Sequence, residues 1–425
     1  MKTKMYFFYA ISILVLFRGI FSLYNLDFYS KILSEGLIFL WFLIEFKKQK
    51  FALSSIPLRY GVFYLIWTGF VAFLVGDSLY EYYLYSRYFI LSCLIMYISY
   101  NVNDLKRYSS NILKAIDFFV LVQIISSLLF FFILGRLERN VGTMSTTGGS
   151  LASVWPLTFV PYYFLRFIIR GRWKNLAFVV GLVFIGYASA KRAVYFLIPL
   201  SLIIIYYGFL GSKIIMRVKG VKLRILTSLS VLFFVLLLGI SRTESLDQGN
   251  GFGLASLKSA IYYVEEYSFQ ENVMNGESIG RMSSTINTFQ SMWSDRNIFI
   301  GNGLSALKGE ITYSRYNVGY GVTGLMREII SIGFIGGILY LLFYIKLLAK
   351  MNEVKRYVLG FDEEVFWIWI LGISGLISLL ITVFGYSRVF VNSLNPIIFT
   401  LVFVGISLKA INRLKYRHQK NKVKK

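Results

Sequence analysis

Twelve apolar runs follow one another along the chain, at roughly 5–24, 32–46, 60–76, 88–100, 115–134, 150–165, 176–190, 194–211, 225–240, 327–345, 365–385 and 389–408. Within each run the hydrophobic side chains are continuous; they do not alternate with polar ones as in a half-buried strand. About 20 residues of helix cross the hydrocarbon core of a bilayer. Only helices and closed barrels satisfy their own backbone hydrogen bonds there. The pattern predicts an all-α, polytopic membrane protein with about 12 transmembrane helices. The runs at 32–46, 88–100 and 176–190 are short and need flanking residues to span. The first run follows Lys2 and Lys4 like a signal peptide, but no small-residue cleavage site comes after it, so it reads as a signal anchor.

Polar residues interrupt this pattern at length in two places. One is 135–149, "GRLERNVGTMSTTGG"; the other is roughly 241–326. The second contains helical-looking stretches, "LASLKSAIYYVEEY" and "MSSTINTFQSMW", and predicts a small folded cap, since a structureless loop of that length is unusual. The expected organisation is nine helices in 1–240, a loop subdomain at 241–326, three helices in 327–408 and a basic tail at 409–425. No internal repeat is visible, and the first half has no counterpart of the large loop, which argues against a transporter built from repeats.

The formal charge of +24 changes the picture only through its distribution. With the N-terminus inside, 30 of the 45 Lys and Arg residues fall in inner segments and 14 in outer ones, with Arg18 inside the first run. That is the positive-inside bias of membrane proteins, not a nucleic-acid footprint. It predicts that both termini are cytoplasmic and that the large loop lies outside. The tail "KYRHQKNKVKK" reads as a solvated end facing anionic lipid. Cys93 is the only cysteine and His418 the only histidine, so an intrachain disulfide, a thiolate metal site and histidine acid–base chemistry are all excluded. No D-x-D pair and no phosphate-cradling Gly-rich loop occurs. The run Asp362-Glu363-Glu364 precedes a helix and fits capping and dipole stabilisation better than metal binding.

The candidate chemistry therefore rests on arginines and carboxylates at the outer ends. Lys191 and Arg192 fall in a two- or three-residue outer turn, where the charge bias disfavours a basic pair; snorkelling to headgroups is the structural alternative. A guanidinium fork suits diphosphate, because it donates two parallel hydrogen bonds and keeps its charge. Arg281 follows Gly280 in "ESIGRMSS" at a helix start, where an anion is favoured. Arg136 and Arg139 sit in the first long outer loop, and Arg388 in the short turn "GYSRVF". Arg327 and Glu328 head the tenth helix and point to different sides; an interfacial anchor is the plain alternative. Arg296 reads as a turn residue. Glu277, Asp295, Glu310 and Glu328 are all eligible general bases, and Glu328 is carried forward as the catalytic carboxylate.

This arrangement resembles the O-antigen polymerase and ligase superfamily of envelope polysaccharide assembly. The likeness covers most of the chain in topology, and about 140–200 and 275–340 in sequence character. "ERNVGTMSTTGGSLA" looks like that family's Arg/Gly-rich outer segment, and "ASAKRAVYF" like its Ser-Arg-small turn. "GESIGRMSSTINTFQSMWSDRNIFIGNGLS" looks like its Gly-Arg, helix and G-x-G pattern, and "TGLMREIISIGFIGG" like its helix start ending in G-x-x-G. Ligases of the superfamily usually have a histidine before that helix; here Tyr316, Tyr320 and Val322 occupy the region, which tilts the resemblance toward a polymerase.

The resemblance implies a GT-C-like fold and a multi-pass protein of the bacterial inner membrane. It implies metal-independent glycosyl transfer between undecaprenyl-diphosphate-linked oligosaccharides, in lipopolysaccharide or capsule synthesis. No cofactor and no nucleic acid is involved; membrane lipid and a chain-length regulator protein are the implied partners. Arg192 and Arg281 would stabilise charge on the leaving diphosphate, with Arg136, Arg139, Lys191, Arg327 and Arg388 binding substrate. A ligase-type transferase and a lipid-linked oligosaccharide flippase are the alternatives; a flippase predicts short loops on both sides and charges at mid-membrane.

Overall fold

The computed structural model describes residues 2–46, 56–135, 141–144, 151–189, 193–206, 222–227, 229–231, 233, 281–305, 322–353, 362–385 and 395–423. Among these residues the protein is all-helical, without a strand. The helices are α1 (Lys2–Leu16), α2 (Arg18–Leu23), α3 (Asp27–Phe46), α4 (Ile56–Val75), α5 (Leu79–Tyr100), α6 (Leu105–Leu134) and α7 (Leu151–Arg170). They continue with α8 (Trp173–Ala188), α9 (Ala193–Ile204), α10 (Arg281–Ser294), α11 (Gly324–Asn352), α12 (Glu363–Gly385) and α13 (Asn395–Val423). Five of them hold stretches long and apolar enough to cross a bilayer: Leu58–Val75, Leu105–Ile133, Gly324–Asn352, Glu363–Phe384 and Ile397–Leu414. Thr3–Leu16 and Trp173–Gly186 are shorter apolar helices. The architecture is that of a helical membrane protein, with α12 and α13 largely buried at its centre.

Small residues let these helices approach, as expected where packing rather than hydrophobic exclusion drives association. Gly375 of α12 lies against Thr400 of α13, and Gly405 of α13 against the backbone of α5 at Met96. The pairings make α12 and α13 antiparallel and α13 and α5 parallel.

Several sequence boundaries are corrected by charges that the structure keeps inside helices. The run at 88–100 begins at Leu79, because Ser78 and Glu81 form a reciprocal capping box there. Arg87 is consequently a helical residue, facing Glu35 of α3 at 3.8 Å. The run at 32–46 likewise starts at Asp27, and the run at 150–165 extends to Arg170. Arg166 is buried in that extension; it donates to both carboxylate oxygens of Asp117 (3.0 and 3.2 Å) and to the Tyr162 hydroxyl (2.6 Å). A charge at membrane depth is tolerable when paired in this way. The run at 5–24 is two helices, broken at Phe17. The tail expected to be solvated from 409 continues α13 to Val423. Most of the run at 225–240 lies outside the described residues.

The bundle has two chemically distinct ends. At one, Lys4 donates to Glu45 (2.6 Å) and to the Asn101 carbonyl (3.1 Å), and Arg413 donates to the Asn103 carbonyl (2.6 Å). Arg170 pairs with Glu363 at the same end, so the acidic run before α12 has a cross-helix partner as well as a favourable position on the dipole. The Lys- and Arg-rich connections are attached here. At the opposite end lie the Arg18–Asp27 ion pair, the turn at Asp77, residues 141–144 and α10.

Candidate functional site

The site is built on a helix that is interrupted on purpose. Gly333, inside α11, has φ 73° and ψ 176°, a conformation essentially restricted to glycine. An interruption there strands backbone groups that a continuous helix would pair, and lipid offers them no partner. The segment "IFIGNGLS" supplies the partners. Asn302 N donates to the Ile330 carbonyl (2.7 Å), Gly303 N to the Ser331 carbonyl (3.1 Å), and Phe334 N to the Ile298 carbonyl (2.7 Å). The Ile332 carbonyl accepts from the indole of Trp67 on α4 (2.8 Å).

Glycine permits this contact from both sides. A Cβ on Gly333 would sit 1.9 Å from the Phe299 carbonyl oxygen, and one on Gly301 (φ 86°) would sit 2.5 Å from Gly333 N. The two backbones therefore touch directly. Asn297 and Asn302 close the loop on itself (3.0 Å), and Arg296, with φ 59°, is a turn residue as its sequence context suggests. Asp77, in the turn between α4 and α5, fixes the far side of the loop. Its carboxylate accepts from Leu304 N (2.6 Å) and Ser305 Oγ (3.0 Å). The G-x-G segment is thus clasped between α4, α5 and α11.

Beneath the clasp, five residues before the break, lies Glu328. It is 1% exposed and accepts hydrogen bonds from Tyr85 of α5 (2.5 Å) and Tyr64 of α4 (3.1 Å), both on Oε2. The Tyr64 ring is wedged between Phe89 and Tyr340, at 4.6 and 5.5 Å between centroids. Arg327, adjacent to Glu328, is half-buried and turned to another side of the helix, as the sequence spacing requires.

α10 meets the start of α11 at Thr323, five residues before this carboxylate. Thr323 caps α11, and its own N–H donates to Thr285 Oγ1 of α10 (3.1 Å). Thr285 is one turn from Arg281, the first residue of α10, and Thr323 is one turn from Arg327. The second turn of α10 therefore touches the N-terminus of α11, the end of that helix that carries partial positive charge and from which Arg327 and Glu328 follow. Among the described residues no three His, Cys, Asp or Glu side chains cluster as a metal cage.

A second interruption lies at the same end. Thr143, four residues after Arg139 in the first long loop, donates its hydroxyl to the Leu16 carbonyl (2.9 Å), while its carbonyl accepts from Gly19 N (2.8 Å). Gln123 of α6 holds Thr143 from the other side. The break at Phe17 is satisfied by this segment, just as the break at Gly333 is satisfied by residues 298–303.

Of the sequence candidates, Glu328, Arg327 and Asp295, the last exposed at the end of α10, are among the described residues, and Arg281 is described by its backbone. Arg136, Arg139, Lys191, Arg192 and Arg388 lie outside the described residues, as do Glu277 and Glu310. The helix ends that flank them, at Gly135, Ala188, Ala193 and Gly385, belong to the same end of the bundle as the clasp. Sequence reasoning missed Asp77, Trp67, Tyr64 and Tyr85. The capping box "SLYE" marked the turn at Asp77, but nothing distinguishes Tyr64 and Tyr85 among 31 tyrosines. No protein-family model matches the chain, and no curated protein shows significant similarity to it.

Proposed function

We propose that the protein is a polysaccharide polymerase of the O-antigen type, with about twelve membrane spans, a GT-C-like arrangement and both termini in the cytoplasm. It joins undecaprenyl-diphosphate-linked oligosaccharide repeat units at the outer face of the bacterial inner membrane. The acceptor hydroxyl attacks the anomeric carbon of the donor. The bond from that carbon to the diphosphate breaks, and its electron pair leaves with the lipid diphosphate. The hydroxyl proton passes to Glu328 and from there to water. Arg192 and Arg281 stabilise the charge that grows on the leaving oxygen, commonly the largest catalytic contribution. Arg136, Arg139, Lys191, Arg327 and Arg388 hold the anionic substrate.

The observation that supports this reading is the contact of α10, the helix headed by Arg281, with the N-terminus of α11, five residues before the buried Glu328 carboxylate. The test is a polymer-forming assay with purified protein and a synthetic lipid-linked repeat unit. Arg192→Ala and Arg281→Ala should each reduce the rate by about 10²–10³, the typical cost of losing one such donor. Arg192→Lys should be impaired less, and the double alanine variant should be non-additive if both act on one diphosphate. Near-normal polymer yield and chain length from either correctly inserted alanine variant would refute the assignment.

A further inference from the structure

We infer that Tyr85 and Tyr64 are positioning residues for the reaction: they fix the Glu328 carboxylate in the orientation from which it takes the acceptor proton. The inference rests on the glycosyl-transfer reading above.

The geometry is specific. Tyr85 and Tyr64 come from different helices, and both donate to the same oxygen, Oε2. An ionised carboxylate is acceptor-only and takes both donors; a proton on Oε2 would oppose both. The phenols cannot drift, since Tyr64 is 1% and Tyr85 6% exposed. The Tyr64 ring is held by Phe89 and Tyr340, and Tyr340 packs in turn on Tyr344 (5.2 Å). Three buried polar side chains are a poor way to stabilise a bundle that apolar residues would fill as well. Their presence together makes sense if the carboxylate must be held to a fraction of an ångström. The site for it is also suitable: Glu328 lies in the first two turns of α11, five residues after Thr323, where α10 meets the start of that helix.

The experiment uses purified full-length protein in lipid nanodiscs, with Tyr85→Phe, Tyr64→Phe, Glu328→Gln and Tyr85→Phe/Glu328→Gln variants. Phenylalanine preserves the ring packing, and thermal unfolding checks that each variant is folded. Steady-state rates with a synthetic polyprenyl-diphosphate-linked repeat unit are measured over a range of substrate concentrations. Glu328→Gln should lose about 100-fold in rate, the lower range of general-base contributions. Tyr85→Phe should lose about tenfold in kcat with KM unchanged within about twofold, as for a hydrogen bond to a charged group. Tyr64→Phe, with the longer bond, should lose less. Tyr85→Phe should add nothing in the Glu328→Gln background. The inference is overturned if Tyr85→Phe keeps the wild-type kcat, raises KM instead, or slows the Glu328→Gln protein by the same factor. A fully active Glu328→Gln also overturns it, together with the proton transfer to Glu328, and leaves the glycosyl transfer and its arginines standing. If the wild-type protein elongates no lipid-linked repeat unit, the reading itself fails.

Discussion

Replacing Gly333 with alanine tests whether the interruption in α11 is held by residues 298–303 or merely coincides with them. At φ 73° and ψ 176° an L-residue is strained by about 1–3 kcal/mol. The new Cβ would also fall 1.9 Å from the Phe299 oxygen and 2.3 Å from its carbon. Backbone atoms cannot swing aside, so the loop must withdraw. Withdrawal gives up the bonds Asn302 N to Ile330 O, Gly303 N to Ser331 O and Phe334 N to Ile298 O. At about 1 kcal/mol each, they bring the total to about 4–6 kcal/mol. Hydrogen–deuterium exchange of a peptide covering 297–305 reads this locally, and an increase of at least about 100-fold is expected, since each 1.36 kcal/mol is a decade. Gly36→Ala is the control: nothing lies within 4 Å of its Cβ position, and it sits inside α3. There alanine should be neutral or mildly stabilising. The reasoning is refuted if Gly333→Ala, folded and inserted, leaves exchange in 297–305 within about threefold of wild type.

Asp77→Ala removes the acceptor for Leu304 N and Ser305 Oγ, and should loosen the same peptide by about 2–3 kcal/mol, more than Asp77→Asn, in the same exchange measurement. Asp27 gives a pH prediction: burial alone would raise its pKa, but hydrogen bonds and charges from Arg18 and Lys31 outweigh this and hold it below the ordinary carboxylate value. Its contribution to stability is therefore complete above about pH 4, the unfolded value, and is lost as pH falls through the lower folded one. The stability gap between wild type and Asp27→Asn should be flat from pH 6 to 8 and close on acidification; a constant gap down to pH 3 would count against the ion pair. Cysteines introduced at Ser256 and Ser314, after replacement of Cys93, should react with an impermeant thiol reagent in intact spheroplasts, and labelling only after lysis would invert the topology. Polymer formation should survive chelation; loss in EDTA with recovery in Mg²⁺ or Mn²⁺ would overturn the metal-free mechanism.

The helices were legible because lipid imposes one pattern, continuous apolar runs, on almost any sequence that spans it. Their ends were less so. Arg87 and Arg166 look like loop residues when a run is read alone, and become helical only when Glu35 and Asp117 arrive from other helices to pair them. The interruptions at Phe17 and Gly333 were invisible for the same reason: the groups that satisfy them come from loops far away in sequence. "GNGLS" stood out as a motif, yet its purpose depends on Asp77, Trp67 and Gly333, which no spacing connects. Arg327 and Glu328 were correctly read as facing apart, since adjacency on a helix settles that alone. The tyrosines on Glu328 were hidden by abundance; a buried carboxylate needs donors, but the sequence does not say which of many phenols supplies them.

The interruption at Gly333 also bears on how the chain is assembled. The stretch before it, from Gly324, is only about 14 Å long as a helix, less than half of a bilayer's hydrocarbon thickness. Alone in lipid it would expose the Ile330, Ser331 and Ile332 carbonyls. Residues 298–303 precede α11 in synthesis, and Trp67 and Asp77 precede both. The clasp can therefore be waiting when α11 leaves the translocation machinery, so that this helix enters a mould rather than bare lipid. The 298–303 segment then acts as scaffolding for the membrane bundle during its making, and exchanging it between related chains would carry a piece of the insertion pathway with it.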